Sequence, residues 1–594
     1  MLILKIQKDI FVKILRTSNL KSFLFKLRSV NILVRMSIRR KIFAAILFWI
    51  VVLLIIGAIS ISLGQDGTWD LRNYHFYNPY GFLRNRLRYD YNPAQLQTYL
   101  NPIQDFPFYF LVTNFGPKNT GFLMGILHGL NFIILFYLFR VIIDKIMPNY
   151  NNISLNEPCP CNSGKKYKAC CNKKNITSKI LVNRNINIIS FLLSLAGFFS
   201  SINISELGTT KNDNFLSLFI LLSLYLFITA NDKSKKNLNI LLSGLFMGVG
   251  AGFKLTNFIY LISFLLATLF IQENITRKFN LILRLTAGII LGFLLVRGYW
   301  MYLLFKHFKN PFFPFYNKIF KSPYYDLINI RDTRFLPHNI FEGLIYPFYF
   351  FWDNHYTKMF HNFRDYRISI IYLLVIIYIF LKLINRGRNI SKKQFTYKYL
   401  VFFITFFTIS LIVWIIQFSI YRYLCVLEFI SPILLILLLA VIMKNWKKVA
   451  LTALIIIALI IPTTKKMNVN RVNWSSSFFG IRIPKIEDLE NSIIIIGGKR
   501  PWTYFIPFFP HSTRFIRVES NFLNYKHSKS LLYNEIRNVI DKHNGPIFLL
   551  TDDYYMFTDV NSLRRFNLKV NFDKYWNIYS KFDKRTKLFK LSKW

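Results

Sequence analysis

Long uncharged apolar runs constrain this chain more than any other feature. The first, Ile42–Leu63, contains no charged residue and is long enough to cross a bilayer. A backbone in lipid must satisfy its own hydrogen bonds, and a single segment does so by forming a helix. The sequence therefore predicts an α-helical polytopic membrane protein with about 11 transmembrane helices, approximately at 42–63, 120–139, 186–204, 214–231, 237–253, 255–272, 281–304, 368–385, 399–420, 423–443 and 449–464.

The composition agrees with a membrane protein and removes one alternative. Hydrophobic residues make up 53% of the 594 positions, and 62 residues are Phe. In a soluble protein the net charge of +48 would indicate nucleic-acid binding. Here many basic residues flank the apolar runs, where the positive-inside bias and anionic lipid headgroups account for them. We therefore predict membrane lipid as a partner and no nucleic acid.

The basic clusters also predict the orientation of the chain. They all fall on one face of the membrane if the N-terminus is cytoplasmic, and the odd number of spans then places the C-terminus outside. These clusters are Arg39–Lys41, Lys233–Lys236, Arg277–Lys278, Arg386–Lys393 and Lys444–Lys448.

The same pattern divides the chain into regions. A basic N-terminal extension precedes the first span, and translation from Met1 or from Met36 would fit it equally well. The predicted regions are this extension (1–41), a membrane domain (42–464) with outer loops 64–119 and 305–367, a cytoplasmic insert (156–174) and an extracytoplasmic α/β domain (465–594).

The α/β prediction for the last region comes from its change of character. Ser492–Ile496 and Pro546–Leu550 are short apolar runs typical of buried strands, and Lys529–Lys542 has apolar residues at helical spacing. The proline-rich stretch around Trp502 is too interrupted for a regular element, and we expect it to pack this domain against the membrane face.

The first outer loop carries more specific polar groups than a connector needs. Between Gln65 and Asp105 it holds four aspartates, His75, several amides and three prolines that fix backbone angles. Shaped loops with convergent carboxylates are common sites of chemistry, although a solvated connector is the plainer reading. The predicted topology also brings charges from distant segments to the same outer face, namely Asp66, Asp70, Glu206, Asp213, Lys254, Arg334 and Arg422.

The first loop and later motifs resemble a family of bacterial multi-pass proteins in the GT-C glycosyltransferase superfamily. The first-loop match is WDLRNYHFYNPYGFL followed by NPAQLQTYLNPIQD. Further matches are SELGTTKND at Ser205–Asp213, GFKLTN at Gly252–Asn257, NPFFPFYNKIFKSP at Asn310–Pro323, FRDYR at Phe363–Arg367 and RYLCVLEFISP at Arg422–Pro432. The resemblance implies an enzyme of the bacterial inner (plasma) membrane that takes a sugar from a polyprenyl phosphate on the outer face.

In this family a first-loop aspartate is the usual catalytic residue, so the resemblance implies Asp70 as the base and Asp66 as the second choice. Glu206 is a candidate to orient the acceptor or to support the base. Cations at the outer leaflet can pair with a phosphate, which makes Lys254, Arg334 and Arg422 candidates for the donor phosphate. Further candidate substrate contacts are Asn73, His75, Asp105 and Asp213, with a structural role for His75 as an equal alternative. A divalent cation at the outer-face carboxylates is a further expectation.

Four of the five cysteines form the pattern C-x-C-x8-C-C in the cytoplasmic insert. Thiols stay reduced in the cytoplasm, so four of them favour a tetrahedral zinc site over two disulfides. Such a site leaves no coordination position for a substrate, which favours a structural or docking role. The stretch resembles the SEC-C motif, which implies zinc binding and contact with a cytoplasmic protein partner. The predicted ligands are Cys159, Cys161, Cys170 and Cys171.

Two other classes of function fit parts of the sequence. A transporter or flippase tends to have ionisable groups in mid-span and internal repeats, whereas here Arg297 and Glu428 are the main mid-span charges. A non-catalytic accessory of secretion is indicated by the cysteine motif alone, which is a small and portable module. The sequence therefore favours the glycosyltransferase.

Overall fold

The structure is a computed structural model that describes residues 38–146, 175–230, 236–271, 274–351, 363–384, 394–443 and 446–594. It forms two compact units, Met1–Ile56 and Gly57–Trp594. The fold is mostly helical, with one five-stranded sheet near the C-terminus. The α-helices before that sheet are α1 Ile38–Ser62, α2 Tyr77–Leu83, α3 Phe106–Asn114, α4 Pro117–Ile146, α5 Asn175–Phe198, α6 Ser201–Glu206, α7 Asn212–Thr229, α8 Lys236–Phe253, α9 Phe258–Leu269, α10 Ile275–Phe308, α11 Asn317–Phe320, α12 Ile340–Ile345, α13 Arg367–Ile384, α14 Gln394–Gln417, α15 Cys425–Ile442 and α16 Trp446–Thr463.

Each predicted span coincides with a helix in the part of the chain that the structure describes. Seven helical stretches there are long and apolar enough to cross a membrane: Ile42–Ser62, Pro117–Ile146, Asn212–Thr229, Ile275–Phe308, Arg367–Ile384, Tyr397–Gln417 and Tyr421–Ile442. The other four predicted spans correspond to α5, α8, α9 and α16, which have shorter or less apolar stretches. The predicted polytopic helical class is confirmed.

Helices α8 and α10 pack so closely that glycine is required between them. A Cβ atom on Gly244 or Gly248 would lie 2.2 or 2.1 Å from a carbonyl oxygen of α10. Gly292 of α10 is placed in the same way, 2.0 Å from the carbonyl oxygen of Leu245. Small residues four apart are a common device for close helix contact in membranes. This contact fixes the end of α8, which leads directly to Lys254.

The C-terminal sheet confirms the predicted small α/β region. Its strands are β3 Ile493–Ile496, β4 Arg514–Ile516, β5 Ile547–Thr551, β6 Leu568–Ile578 and β7 Thr586–Lys593, in the spatial order β4-β3-β5-β7-β6. Strands β4, β3 and β5 are parallel, and β7 is antiparallel to β5 and β6. Helices α17 Leu531–Asp541 and α18 Met556–Arg564 belong to this region.

Both faces of the sheet are covered, which explains the unbroken run of isoleucines in β3. Ile494 and Ile496 pack in one core with first-loop residues such as Leu71. Ile493 and Ile495 point to the other face and share a core with α17 and with the end of α10. Successive strand side chains point to opposite faces, so both sets must be apolar when both faces are buried.

The first loop, residues 64–119, which is predicted to lie on the outer face, is attached to the C-terminal region at several points. Strand β1, Gln65–Asp66, pairs antiparallel with β2, Arg471–Val472. Tyr91 forms a parallel bridge beside β4: its N–H donates to the Phe515 carbonyl, and its own carbonyl accepts from the Arg517 N–H, both at 2.9 Å. The loop thus lies along the edge of the sheet.

The proline-rich stretch predicted to be irregular contains a short 3-10 helix, Thr503–Phe508, with Pro507 inside it. A 3-10 turn needs few consecutive donors, so it accommodates that proline. The Thr503 hydroxyl donates to the carbonyl oxygens of Arg72 and Asn73 in the first loop. The stretch therefore packs against the first loop, and its packing against the membrane face stays a prediction.

Candidate active site

Asp70 immediately precedes a one-turn π-helix, Leu71–His75, in the first loop. The loop is fixed just upstream by glycines that touch the strand opposite. Gly64 has φ +94°, and a Cβ on Gly67 would lie 2.7 Å from the carbonyl oxygen of Asn470. Single π-turns are often found at functional sites. Leu71 points into the core, and Asp70 remains partly exposed.

Asp70 belongs to a cluster of four charged side chains from four separate segments. The Arg422 guanidinium donates from Nη1 to Asp70 Oδ2 at 2.8 Å. Arg422 Nε lies 3.6 Å from Asp213 Oδ2, and Lys254 Nζ donates to Asp213 Oδ1. The side chains of Asp70 and Lys254 are 18% and 17% exposed, against 10% for Arg422 and 4% for Asp213. The cluster thus has a buried side at Asp213 and an open side at Asp70.

The electrostatic environment separates the carboxylates of this region. Burial alone would raise the pKa of Asp70, but the charges of Arg422 and Lys211 outweigh it and hold that pKa well below its usual range. Glu206 is fully buried, and burial together with the charge of Asp213 raises its pKa to about 8. Burial also lowers the pKa of Lys211. At neutral pH Asp70 is therefore ionised and Glu206 is mostly protonated.

A second group of polar residues lies beneath the cluster. His75 Nδ1 is 2.6 Å from Asp105 Oδ1, which also accepts from the Asn212 amide at 2.6 Å. Both His75 and Asp105 are almost completely buried. Burial raises the pKa of Asp105, and His75 partly offsets this. The pair joins the first loop to the start of α7, next to Asp213.

Asp66 and Asn73 are used to hold the loop in place. Asp66 Oδ2 accepts from the N–H and hydroxyl of Thr210 at 2.8 and 2.7 Å, and its Oδ1 accepts from the Thr68 N–H at 2.8 Å. The Asn73 amide donates to the carbonyl oxygen of Ala94 at 3.1 Å. Both oxygens of Asp66 are thus occupied by protein donors, which gives Asp66 a role in holding the loop.

Arg334 lies outside the cluster. Its side chain is 70% exposed, and it donates twice to Asp332, at 2.9 and 2.7 Å. In contrast to Lys254 and Arg422, Arg334 pairs with neither Asp70 nor Asp213 among the described contacts. The cluster therefore contains two of the three predicted phosphate ligands.

Several site residues escaped the sequence prediction. Lys211 lies within the SELGTTKND motif and faces Asp70, Glu206 and Asp213. The ring of Tyr423 lies under two cations, 4.9 Å from Lys254 Nζ and 5.3 Å from the Arg422 guanidinium carbon. Their positions in the sequence could have indicated both residues, because Lys211 is the basic residue of that motif and Tyr423 directly follows Arg422.

A buried network outside the cluster fixes helix α6, which ends at Glu206. Asp365 accepts from the Ser201 N–H at 2.9 Å, and Glu428 accepts from the Ile202 N–H at 3.0 Å. Two carboxylates therefore meet the donor groups at the start of this short helix. Arg367 neutralises Asp365 at 2.5 Å, and Tyr421 donates to Glu428 at 2.6 Å. No spacing along the chain indicates that these residues are partners.

The metal predictions have different outcomes. The predicted zinc ligands Cys159, Cys161, Cys170 and Cys171 lie outside the described residues. Within the described residues, no group of three or more His, Cys, Asp or Glu side chains is placed to hold a metal ion. The carboxylates predicted at the outer face do not fit a hard-cation site, because Asp70 and Asp213 already face Arg422 and Lys254.

Comparison with known families gives two matches. Residues 177–302 match the dolichyl-phosphate-mannose-protein mannosyltransferase family. This range includes Glu206, Asp213 and Lys254 and lies between the first loop and Arg422. Residues 156–173 match the SEC-C motif. The two matches confirm both resemblances seen in the sequence.

Two solved structures are similar to the chain. One is the apo oligosaccharyltransferase of Archaeoglobus fulgidus, at 12% identity and a TM-score of 0.38, covering 85% of this chain and 69% of that one. The other is ArnT from Cupriavidus metallidurans bound to undecaprenyl phosphate, at 10% identity and a TM-score of 0.40, covering 92% and 98%. None of the curated protein sequences compared matches this chain.

Proposed function

We propose that this GT-C superfamily protein is a membrane glycosyltransferase that moves a sugar from a polyprenyl-phosphate donor to a cell-envelope acceptor on the outer membrane face. The observation that carries the proposal is the convergence of Asp70, Asp213, Lys254 and Arg422 from four distant segments into one partly open cluster. A purely structural ion-pair network has no need of an exposed side at which two cations and a carboxylate meet.

The donor phosphate is assigned to Arg422 and Lys254. Three basic side chains, Lys211, Lys254 and Arg422, face the carboxylates Asp70 and Asp213, while the nearby Glu206 is mostly protonated at neutral pH. This balance favours one additional anion. Arg422 supplies a planar fork and Lys254 a point charge, the two common ways in which proteins bind phosphate. Arg334 is too exposed and too well paired with Asp332 to share this role.

Asp70 is assigned as the general base. It accepts the proton of the acceptor hydroxyl while that oxygen forms a bond to C1 of the donor sugar. The bond from C1 to the phosphate oxygen breaks, and the polyprenyl phosphate leaves as an anion that Arg422 and Lys254 neutralise. Asp66 and Asn73 brace the loop, and His75 with Asp105 supports it from below. Glu206 is assigned to acceptor orientation at the buried side.

The remaining assignments follow from the sequence. We propose an inner (plasma) membrane location with a cytoplasmic N-terminus and an extracytoplasmic C-terminus. The SEC-C motif is proposed to hold one structural zinc ion through its four cysteines and to bind a cytoplasmic protein partner. That module then lies across the membrane from Asp70.

The test is sugar transfer by the purified protein from a panel of polyprenyl-phosphate donors to cell-envelope acceptors. Asp70→Asn keeps the shape and hydrogen-bonding capacity of the side chain but accepts a proton poorly. We expect a loss of about 10²- to 10⁴-fold in turnover. Asp553→Asn removes one charge from an exposed pair with Lys587 and serves as the matched control with normal turnover.

Turnover of Asp70→Asn within a few-fold of the unmodified protein would contradict the assignment of the base. If Asp66→Asn were inactive at the same time, the base would move four residues upstream. Normal turnover in both variants would remove the first loop from the chemistry. Absence of transfer by the unmodified protein with every donor would contradict the proposed function itself.

A further inference from the structure

Arg422 lies between two carboxylates and satisfies only one of them. It donates to Asp70 Oδ2 at 2.8 Å, whereas its Nε stands 3.6 Å from Asp213 Oδ2. Within the described residues, Arg422 Nε and Asp213 Oδ2 are both buried without a hydrogen-bond partner. A guanidinium fork ordinarily binds a carboxylate through two parallel bonds. The observed position is therefore incomplete on the Asp213 side.

A small displacement of the Arg422 side chain would complete its hydrogen bonding to Asp213. Moving Nε from 3.6 Å to an ordinary charged hydrogen-bond length of about 2.8 Å is a shift of roughly 0.8 Å toward Asp213. That shift satisfies two buried polar atoms and lengthens the bond to Asp70. Asp213 can receive Arg422 because Lys254 already holds its other oxygen. The position seen here is held by the charge of Asp70.

We propose that the donor phosphate and Asp70 compete for Arg422, so that binding of the donor draws Arg422 toward Asp213 and releases Asp70 for the acceptor. This inference rests on the proposed function, since it concerns the same phosphate and the same base. Without the phosphate, Asp70 is occupied by Arg422 and is a weak base. With the phosphate bound between Arg422 and Lys254, Asp70 Oδ2 is free to accept a proton.

The exchange makes the donor bind before the acceptor can react. An acceptor hydroxyl that arrives first meets a carboxylate engaged with Arg422. Water meets the same carboxylate, which is paired with Arg422 in the resting protein. The phosphate thus both supplies the leaving group and releases the base, through one arginine.

A double-mutant cycle on phosphate binding tests the competition. The probe is a short-chain polyprenyl monophosphate in detergent, and the measured quantity is its Kd for the full-length protein. Asp70→Asn removes the competing charge, so we expect Kd to fall about 10-fold, the size of one hydrogen bond to a charged group. In an Arg422→Gln background the same Asp70→Asn change is expected to alter Kd less than 2-fold.

Three outcomes would overturn the inference. Unchanged or weaker binding in Asp70→Asn shows that Asp70 and the phosphate do not compete. If Asp70→Asn lowers Kd equally with Arg422 and with Arg422→Gln, the effect is a general charge effect that does not involve Arg422. If Asp70→Asn lowers the Kd for phosphatidylglycerol equally, the effect belongs to phospholipid headgroups in general and not to the donor.

Two controls distinguish altered folding from the competition between Asp70 and the phosphate for Arg422. Asp553→Asn, which lies in an exposed pair, should leave Kd unchanged, and the corresponding polyprenol without phosphate should bind all variants equally. Unequal polyprenol binding would show altered folding, in which case Asp70→Ser provides the same test with a smaller side chain. The cycle measures binding alone, so absence of sugar transfer by the unmodified protein would count against the proposed function and not against the exchange.

Discussion

The carboxylates around the first loop are each stabilised by a different partner. Arg422 pairs with Asp70, backbone and hydroxyl donors of Thr210 bind Asp66, and His75 holds Asp105. Glu206 and Asp105 each have one oxygen buried without a hydrogen-bond partner among the described residues. Burial and the charge of Asp213 favour the protonated form of Glu206, so the ionisation of Glu206 affects the free energy of folding.

Glu206→Gln should flatten the pH dependence of stability. The pKa of Glu206 rises from 4.5 in the unfolded chain to about 8 in the folded protein. Between those values the unfolded chain releases a proton that the folded protein keeps, so unfolding becomes easier as pH rises. Gln does not titrate, so the melting temperature of the Glu206→Gln variant minus that of the unmodified protein should increase from pH 5 to pH 8. Detergent-solubilised samples melted across this range would show it, and a constant difference would contradict it.

Residue type alone did not identify the members of the cluster. Arg334 and Arg422 are both basic, both on predicted outer segments, and both were equal candidates for the phosphate. Only the structure separates them, since Arg334 pairs with Asp332 and Arg422 reaches Asp70 across 352 residues. Lys211 was missed because a lysine beside a span end is ordinarily a headgroup neighbour. Pairing across such distances has no local sequence signal.

At the scale of elements, the membrane helices were predictable and the first loop was not. An uncharged apolar run in lipid must be helical, so each run near the predicted bounds became a helix. The π-turn Leu71–His75 and the bridge from Tyr91 to β4 depend on contacts with the C-terminal region. Their geometry is fixed by tertiary packing, which no window along the sequence contains.

The contact between α8 and α10 gives a prediction about single methyl groups. Gly248→Ala places a Cβ 2.1 Å from the carbonyl oxygen of Ile289, so the helices must separate, at a cost of about 1–3 kcal/mol. Gly298→Ala on α10 is the matched control, because its Cβ meets only Leu294, at 3.8 Å. Helix propensity improves equally in both variants.

The melting temperature of the purified variants measures this difference. Gly248→Ala should melt below the unmodified protein and Gly298→Ala should not. Sugar transfer should also fall in Gly248→Ala, since α8 ends at the residue directly before Lys254 and the Gly252 carbonyl accepts from Asn101 of the first loop at 3.2 Å. Equal melting of both variants would contradict the close contact.

At the scale of the whole molecule, the predicted topology separates two functional regions. Reporter fusions after Asn175 and after Trp594 should give opposite readings, because the span count places the SEC-C insert and the C-terminal sheet on opposite sides. Identical readings would mean that one span has been miscounted.

The zinc prediction does not depend on the charged cluster around Asp70. The protein purified without chelators should contain one zinc ion per chain, and Cys170→Ser should lose it. Structural zinc contributes on the order of 10 kcal/mol to ordering a small module. Transfer activity should survive, because the motif and Asp70 are predicted on opposite sides of the membrane. Metal analysis that finds no zinc would exclude the site.

The attachment of the first loop to the sheet has a consequence for biosynthesis. The Asp90 carboxylate accepts from the Phe515 N–H, a bond between residues 425 positions apart. A ribosome adds about 5–20 residues per second, so the loop exists for roughly 20–80 seconds before its partner strand is made. During that interval Asp70 has no fixed position and Arg422 is absent at first. If the proposed function holds, we therefore expect a nascent or prematurely terminated chain to be inert until the last domain has folded.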